Sequence, residues 1–374
     1  MHYEIAGEPG GAVLAAVVHG VPVGLRIREE DIYADVARWA RMADCLRETP
    51  AVAICSGVAD GRTTGAPVLL TLDNRIYADS RGKLDRSRSV ACPGSAELAA
   101  SARYDEENLI AIADRCDPRI DAMKVAAASL AREVLAAFGV EVFSCVTRIG
   151  AAGMQASPFD GAMPPSPIEI ENSPFRCPSA QVTRAMEVEV ARAGVQGDTL
   201  GGELAVAAYG MTAGVGGLRS GGRSLEARLS AALFAVEGVT GVEFGAPGRT
   251  RQPGSVVYDA PAVGPCGLSR TTNKAAGIEE GFSTGLPLVV RAGVLPSARL
   301  GQNAPSIDSS TLEPAAYRAA VFSCCDVPAK SVTAESEVAL ALADAYLEAF
   351  GADTMTDTNA AFASYARRLK NAAR

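Results

Sequence analysis

The chain has 374 residues, 35 Lys and Arg against 43 Asp and Glu for a formal charge of −8, and 48% apolar residues. At ~150 residues per domain the length admits two domains or one large one, with ample material for a core. The acidic sign argues against a protein that wraps nucleic acid, and no apolar run approaches the ~18 residues that cross a bilayer.

Residues 12–18 form a short apolar run closed by Gly20-Val21-Pro22, which predicts a buried strand. From Glu29 to Arg47 the spacing of Ile32, Val36, Trp39 and Met42 predicts a helix. Strands are expected at Val52–Cys55 and Val68–Leu72, around the turn Asp60-Gly61-Arg62, and residues 74–94 read as a long surface loop. Pro118 opens a helix that runs through Phe138 and stops at Gly139, with a strand over Val140–Val146 next. Six prolines between 151 and 178 mark a long excursion. Further along, helices are predicted at 180–193 and Ser224–Val236, and strands at Glu203–Tyr209, Gly241–Gly245 and Leu288–Ala292. Two amphipathic helices, Ser331–Phe350 and Thr358–Lys370, close the chain. Helices and strands alternate without an even β-α-β rhythm, so the fold class is α+β, carried as a single domain over 1–374.

Two histidines, His2 and His19, exclude a multi-histidine metal centre in one chain and restrict any Ser–His or Cys–His pair to those positions. Nine scattered cysteines without a Cys-x-x-Cys pair, and an opening without a secretory leader, lead to the expectation of a reduced cytoplasmic protein. Gly197–Gly202 and Gly214–Gly217 lack the Gly-Lys-Ser/Thr ending of a phosphate loop and read as turns. Arg38 with Arg41, and Arg115 with Arg119, each share a helix face and could grip a carboxylate or phosphate; a solvated charged face is the plainer alternative.

Several segments carry information through their order. They are Gly7-Glu8-Pro9-Gly10-Gly11, Gly61-Arg62-Thr63-Thr64-Gly65-Ala66-Pro67, Met154 to Cys177-Pro178, and Gly197-Asp198-Thr199-Leu200-Gly201-Gly202. Gly241–Gly245, Thr272-Asn273, Ser283-Thr284-Gly285 and Val327-Pro328-Ala329 complete the series. This collinear series resembles the chorismate synthase family, almost end to end. The resemblance implies a β-α-β sandwich assembled as a homotetramer. It also implies loss of phosphate from 5-enolpyruvylshikimate 3-phosphate in an anti-1,4-elimination, with reduced FMN assisting and not consumed.

The departures fall on the family's chemistry. Gly10 and Ser95 stand where the resemblance expects two histidines, and Val321-Phe322-Ser323-Cys324-Cys325 replaces an Arg-x-Asp-x-Cys segment. On the flavin side Leu295-Pro296 replaces a Lys-Pro pair, Glu280 a glycine, and Glu237-Gly238 a Gln/Asn-Ala pair; the added carboxylates reverse the charge expected opposite a phosphate. On the substrate side Arg38, Arg41, Arg115 and Arg119 match the family's arginines, and Arg103-Tyr104 its basic–aromatic pair.

Together these matches and departures lead to the expectation of a diverged lyase on a shikimate-type anion. Arg38, Arg41, Arg115 and Arg119 would bind substrate, and Glu97, Ser95 and Ser323 would occupy the catalytic positions. Glu97 would be the general base, its pKa raised by partial burial. No cofactor would be held, the FMN site being read as lost, and no nucleic-acid or membrane partner is expected. The alternative is a non-catalytic paralogue, a pseudoenzyme or metabolite-binding partner; a conventional family enzyme with rebuilt ligands ranks third.

Overall fold

A computed structural model describes residues 1–43, 51–75, 87–159, 164–218, 222–246, 248–264 and 267–371. A first sheet contains β1 (His2–Ala6), β2 (Val13–His19), β3 (Val52–Ser56) and β4 (Val68–Asp73) in the order β1-β2-β4-β3, each pair antiparallel. Leu14, Ala16 and Val18 of β2, with Val68, Leu70 and Leu72 of β4, are wholly buried at every second position. That is the period-two pattern of a sheet covered on one face. β1 lies outside the strands read from sequence; its Tyr3 and Ile5 pack against the same core.

The second sheet contains β5 (Glu141–Ile149), β6 (Ala152–Gly153), β7 (Gly202–Tyr209), β8 (Val239–Phe244) and β9 (Leu288–Val294) in the order β8-β9-β7-β5-β6, again antiparallel. Both faces of β7 are buried. Leu204, Val206 and Ala208 join the main core, while Ala205 and Ala207 meet Phe159 and Ile170 from the Pro-rich excursion. The excursion is thus a cover for the outer face of this sheet. It includes a short helix whose first residue, Pro167, is the expected N1 proline.

The helices in chain order are α1 (Glu29–Met42), α2 (Glu97–Tyr104), α3 (Leu109–Arg115), α4 (Asp121–Ala137), α5 (Pro167–Asn172), α6 (Ala180–Gln196), α7 (Leu225–Phe234), α8 (Val327–Phe350) and α9 (Met355–Asn371). α1 ends at Met42, so the rest of the helix expected through Arg47 lies outside the described residues, as do positions 76–86 of the expected loop. α4 packs on β2 and β4, α8 packs on β5 and β7, and α4 packs on α8. This is a helix layer between two sheets, the β-α-β sandwich. Helices with sheets on one side and helices on the other are buried nearly all round, which explains the Ala-rich, apolar α4. α8 starts one turn earlier than Ser331, with Pro328 in its first turn, and carries Lys330, Glu335 and Glu337 into the interior. A buried charge must be paired or face a ligand, and each of these three has a different partner environment.

Candidate active site

The four arginines expected to share one hollow are divided between two places. Arg38 and Arg41 lie on α1, and both reach Glu171 of α5: Arg38 Nε donates to Oε1 at 3.0 Å and Arg41 Nη2 to Oε2 at 2.9 Å. Arg38 Nη2 also donates to Glu335 Oε1 at 3.0 Å, where Arg132 Nη2 donates at 2.6 Å. The other oxygen of Glu335 accepts from the Ser144 hydroxyl and from Arg176 Nη2. Burial alone would push the Glu335 carboxyl up; Arg38, Arg132 and Arg176 overcome it and hold the group well below the usual carboxylate range. A cavity of about 390 Å³ opens beside this cluster, lined by Arg38, Arg132, Glu171, Arg176 and Glu335 among others. Its charges are matched against one another.

Arg115 and Arg119 lie beyond the opposite end of α4. From Asp121 to Arg132 the helix rises ~16 Å, so the two pairs do not converge. Arg115, exposed in the last turn of α3, stacks over the Tyr104 ring at 4.6 Å. Arg119 is buried; its Nε donates to Asn74 Oδ1 at 2.9 Å, and Asn74 Nδ2 donates to the carbonyls of Pro9 and Gly11 at 2.8 and 2.7 Å. This relay fixes the glycine-rich turn at 7–11 beside the α3–α4 junction. Gly10, where the resemblance places a histidine, faces Asp114: a Cβ there would lie 3.6 Å from the Asp114 carboxylate.

Other segments singled out by the motif order meet here. Cys92 Sγ donates to Ala298 O at 3.3 Å, Thr199 Oγ1 to Ser297 O at 2.7 Å, and Leu295 N to Gly238 O at 2.8 Å. Loop 92–97, the 237–238 turn and the 295–299 segment are therefore neighbours. The Cys116 thiol is pushed up by lost hydration first and then by Glu237, with Arg299 opposing and Glu97 adding to the rise. Cys116, Glu237, Arg299 and Glu97 thus share one electrostatic neighbourhood next to Arg115.

Glu97 is buried, and both its oxygens are engaged: Oε1 accepts from Arg88 and Oε2 from the Cys92 N–H at 2.7 Å. Ser95 is exposed; its hydroxyl donates to Cys92 O at 2.8 Å and accepts from Glu97 N. The geometry of both is that of a clamp on the loop. Ser323 is half-buried in the segment before α8, whose neighbouring Cys324 carbonyl accepts from Leu200 N at 2.7 Å. His2 and His19 pair across β1 and β2, their rings stacked at 4.8 Å, so both imidazoles of the chain are held on the first sheet.

Sequence reasoning missed Lys330 and Arg299. Lys330 sits in the first turn of α8 with its ammonium at Gly238, where an added Cβ would lie 3.1 Å from Nζ. Burial pushes the neighbouring Glu237 carboxyl up, Lys330 and Arg299 pull it down, and Asp121 and Asp326 add to the rise. Two cations from other segments thus face Glu237 together with two further carboxylates. Glu280 belongs to a different feature. With φ of +50° it takes the first of two left-handed positions in the turn of the 278–283 hairpin, ahead of Gly281, so the glycine expected there meets a backbone need. Lys330, Arg299 and the Gly238 turn fit an anionic group such as a flavin phosphate.

Comparison with known proteins identifies the family and the fold. The family model for chorismate synthase matches residues 1–347. A chorismate synthase of Rubrobacter xylanophilus is 36% identical over 98% of this chain and 97% of its own, and one of Geobacillus kaustophilus is 34% identical over 95% and 96%. A crystal structure of chorismate synthase superposes with a TM-score of 0.81 at 26% identity, covering 99% of this chain and 98% of that one. Near-full-length similarity to a family that uses reduced FMN overturns the expectation of a protein without a cofactor. That expectation counted charges only at aligned positions and so overlooked Lys330 and Arg299. The chain belongs to the chorismate synthase family.

Proposed function

We propose that this chain is a carbon–oxygen lyase that eliminates phosphate from 5-enolpyruvylshikimate 3-phosphate or a close relative, with reduced FMN as its cofactor. The observation that supports the reading is that loop 92–97, the 237–238 turn and the 295–299 segment are neighbours, with Cys116 beside Arg115 and with Arg299 and Lys330 within electrostatic reach of Glu237. In the reaction the ring C–O bond to phosphate breaks with its electron pair, a ring proton leaves, and the ring gains a double bond. When bound, reduced FMN supplies transient electron density to the departing phosphate. Cations in this neighbourhood stabilise the anionic substrate and the leaving group, as fixed charges do best where water is scarce. Lys330 and Arg299 are the residues that would hold the cofactor's phosphate. Glu97 and Ser95 hold loop 92–97, and in this reading they position the site. Glu97→Gln, which keeps the shape but weakens the Arg88 bond, then lowers turnover by about tenfold or less, whereas removal of a general base costs ~10²–10⁴.

The test uses the full chain, with thermal stabilisation measured for FMN, shikimate, shikimate 3-phosphate, 5-enolpyruvylshikimate 3-phosphate and chorismate, since a ligand of the native state raises Tm. Anaerobic turnover with reduced FMN is then monitored by chorismate formation. Product formation supports the lyase. A protein stabilised by none of these compounds and forming no product sinks it.

The second reading, a non-catalytic paralogue, is favoured by one observation: Gly10 and Ser95 stand at the expected histidine positions, and both imidazoles are held on the first sheet. Ligand stabilisation without turnover selects it. The homotetramer belongs to the same proposal and is read by light scattering. The outer face of the first sheet, with Val13 half exposed, is available for packing against another copy.

A further inference from the structure

The two histidines of the chain stand side by side. His2 of β1 and His19 of β2 are direct cross-strand partners, and their rings stack with centroids 4.8 Å apart and planes 5° from parallel. Directly opposed residues of an antiparallel pair hold their Cβ atoms ~5 Å apart, close enough for both side chains to act on one atom. Leu14, Ala16 and Val18 of β2 turn into the core, so His19 lies on the outer face, half-buried, with His2 exposed beside it. The backbone beneath them is held in place. Tyr3, the next residue along β1, points inward, and its hydroxyl donates to Glu337 of α8 at 2.6 Å.

Two imidazoles are too few for a centre of three or four, but the fold brings both to one point. A borderline cation takes an imidazole nitrogen at ~2.0–2.1 Å, a span that two rings at opposed strand positions reach by side-chain rotation alone. Because the strand ladder already fixes both backbones, the second contact is intramolecular and the pair binds more tightly than either ring alone. We propose that His2 and His19 form a two-histidine site for a divalent transition-metal ion of the zinc class. Imidazole nitrogen suits zinc, copper and nickel, whereas magnesium and calcium prefer oxygen ligands. Among the described residues no third His, Cys, Asp or Glu joins the pair to make a metal-holding group, so water takes the remaining coordination positions. β1 is the edge strand of its sheet, and a bound ion clips it to β2 at the open end of the hairpin whose other end is the 7–11 turn. The site is independent of the lyase reading, which stands or falls by turnover.

Zinc alone is the probe, added to the untagged full chain isotope-labelled at histidine and followed by NMR. A chain with two histidines gives two sets of ring signals, so binding at thiols elsewhere does not obscure the reading. Both sets are expected to move together over the same range of zinc concentration. In His2→Gln and in His19→Gln the remaining histidine should need at least about tenfold more zinc, because its partner in the chelate is gone. Unfolding curves without metal should match the wild type, as is usual for substitutions on the surface. Magnesium should move neither histidine. Histidines that titrate at different zinc concentrations, a histidine that binds equally well after its partner is removed, or signals unmoved by zinc would each overturn the proposal. The wild-type titration decides without the variants if either of them fails to fold.

Discussion

The basic residues around Arg132, within α4, and those around Arg115 and Arg119, ahead of its first residue, meet opposite surroundings. Near Arg132, the guanidiniums of Arg38, Arg41, Arg132 and Arg176 share Asp35, Glu171 and Glu335, so almost every donor has a carboxylate or carbonyl partner within the protein. At the other end, Arg115 leans on an aromatic ring and Arg119 holds a turn through a neutral amide. The same residue type thus serves architecture where carboxylates are matched to it, and in the proposed reading it serves ligand binding where a ring or an amide is its partner. The cavity of about 390 Å³ opens beside the first set, which shows that concavity and spare charge need not coincide.

The largest effect that would sharpen this contrast is expected at Glu335, 1% exposed among three guanidiniums. Glu335→Ala strands those charges and costs about 3–5 kcal/mol of stability, read from urea unfolding. Arg115→Ala, at an exposed position, changes stability by ~0.5 kcal/mol or less but weakens substrate-analogue binding. Equal stability losses in the two variants would break the comparison.

Acid gives a second handle, with the sign set by linkage. Because Glu335 and Glu171 are held below their usual values, the unfolded chain takes up their protons first as pH falls. Their stabilisation is complete above the ordinary carboxylate value of ~4.3 and drains away below it. Denaturation midpoints measured from neutrality down to pH 3 should fall steeply in the wild type and less steeply in Glu335→Gln.

Next in size is Asn74→Leu, which removes both bonds to the 7–11 turn and the acceptor for Arg119. The buried Arg119 then loses a partner, at a cost of about 1–3 kcal/mol. Ligand affinity at the proposed site should fall with it, measured by the same thermal shifts. The smallest effect is expected at Glu337, two residues from Glu335 on α8. Burial pushes its carboxyl up despite the 2.6 Å bond from the Tyr3 hydroxyl. The native state holds that proton more tightly than the unfolded chain, so the ionised form destabilises the fold at neutral pH. Glu337→Gln should be neutral or stabilising by ~1 kcal/mol or less at pH 7, and the gain should vanish in acid.

Much of the architecture is legible in the chain itself. The alternation of β2 and β4 is visible by eye, and α6 is expected over 180–193 with Gly194 as its stop, whereas it runs past Gly194 to Gln196 and ends at the left-handed Gly197. The motif order is enough to name the sandwich. β1 escapes notice because its alternation is short and mixed with His2 and Glu4, and the start of α8 is hidden because its first turn holds a proline and a lysine. At the site, the four arginines are expected in one hollow, and the structure instead ties Arg38 and Arg41 to Glu171 and Glu335 and Arg119 to Asn74. The expected loss of the flavin site fails because it rests on residues compared position by position, whereas charge at a point in space can come from any segment that reaches it.

Local periodicity, capping residues and turn glycines determined the elements, because those signals act over a few residues and need no distant partner. The pairing of Arg38 with Glu171 and Glu335, and the placement of Lys330 at Gly238, were decided only by the tertiary structure. Electrostatic attraction acts through space between groups hundreds of residues apart, and only the packed helix layer sets which of them come within reach.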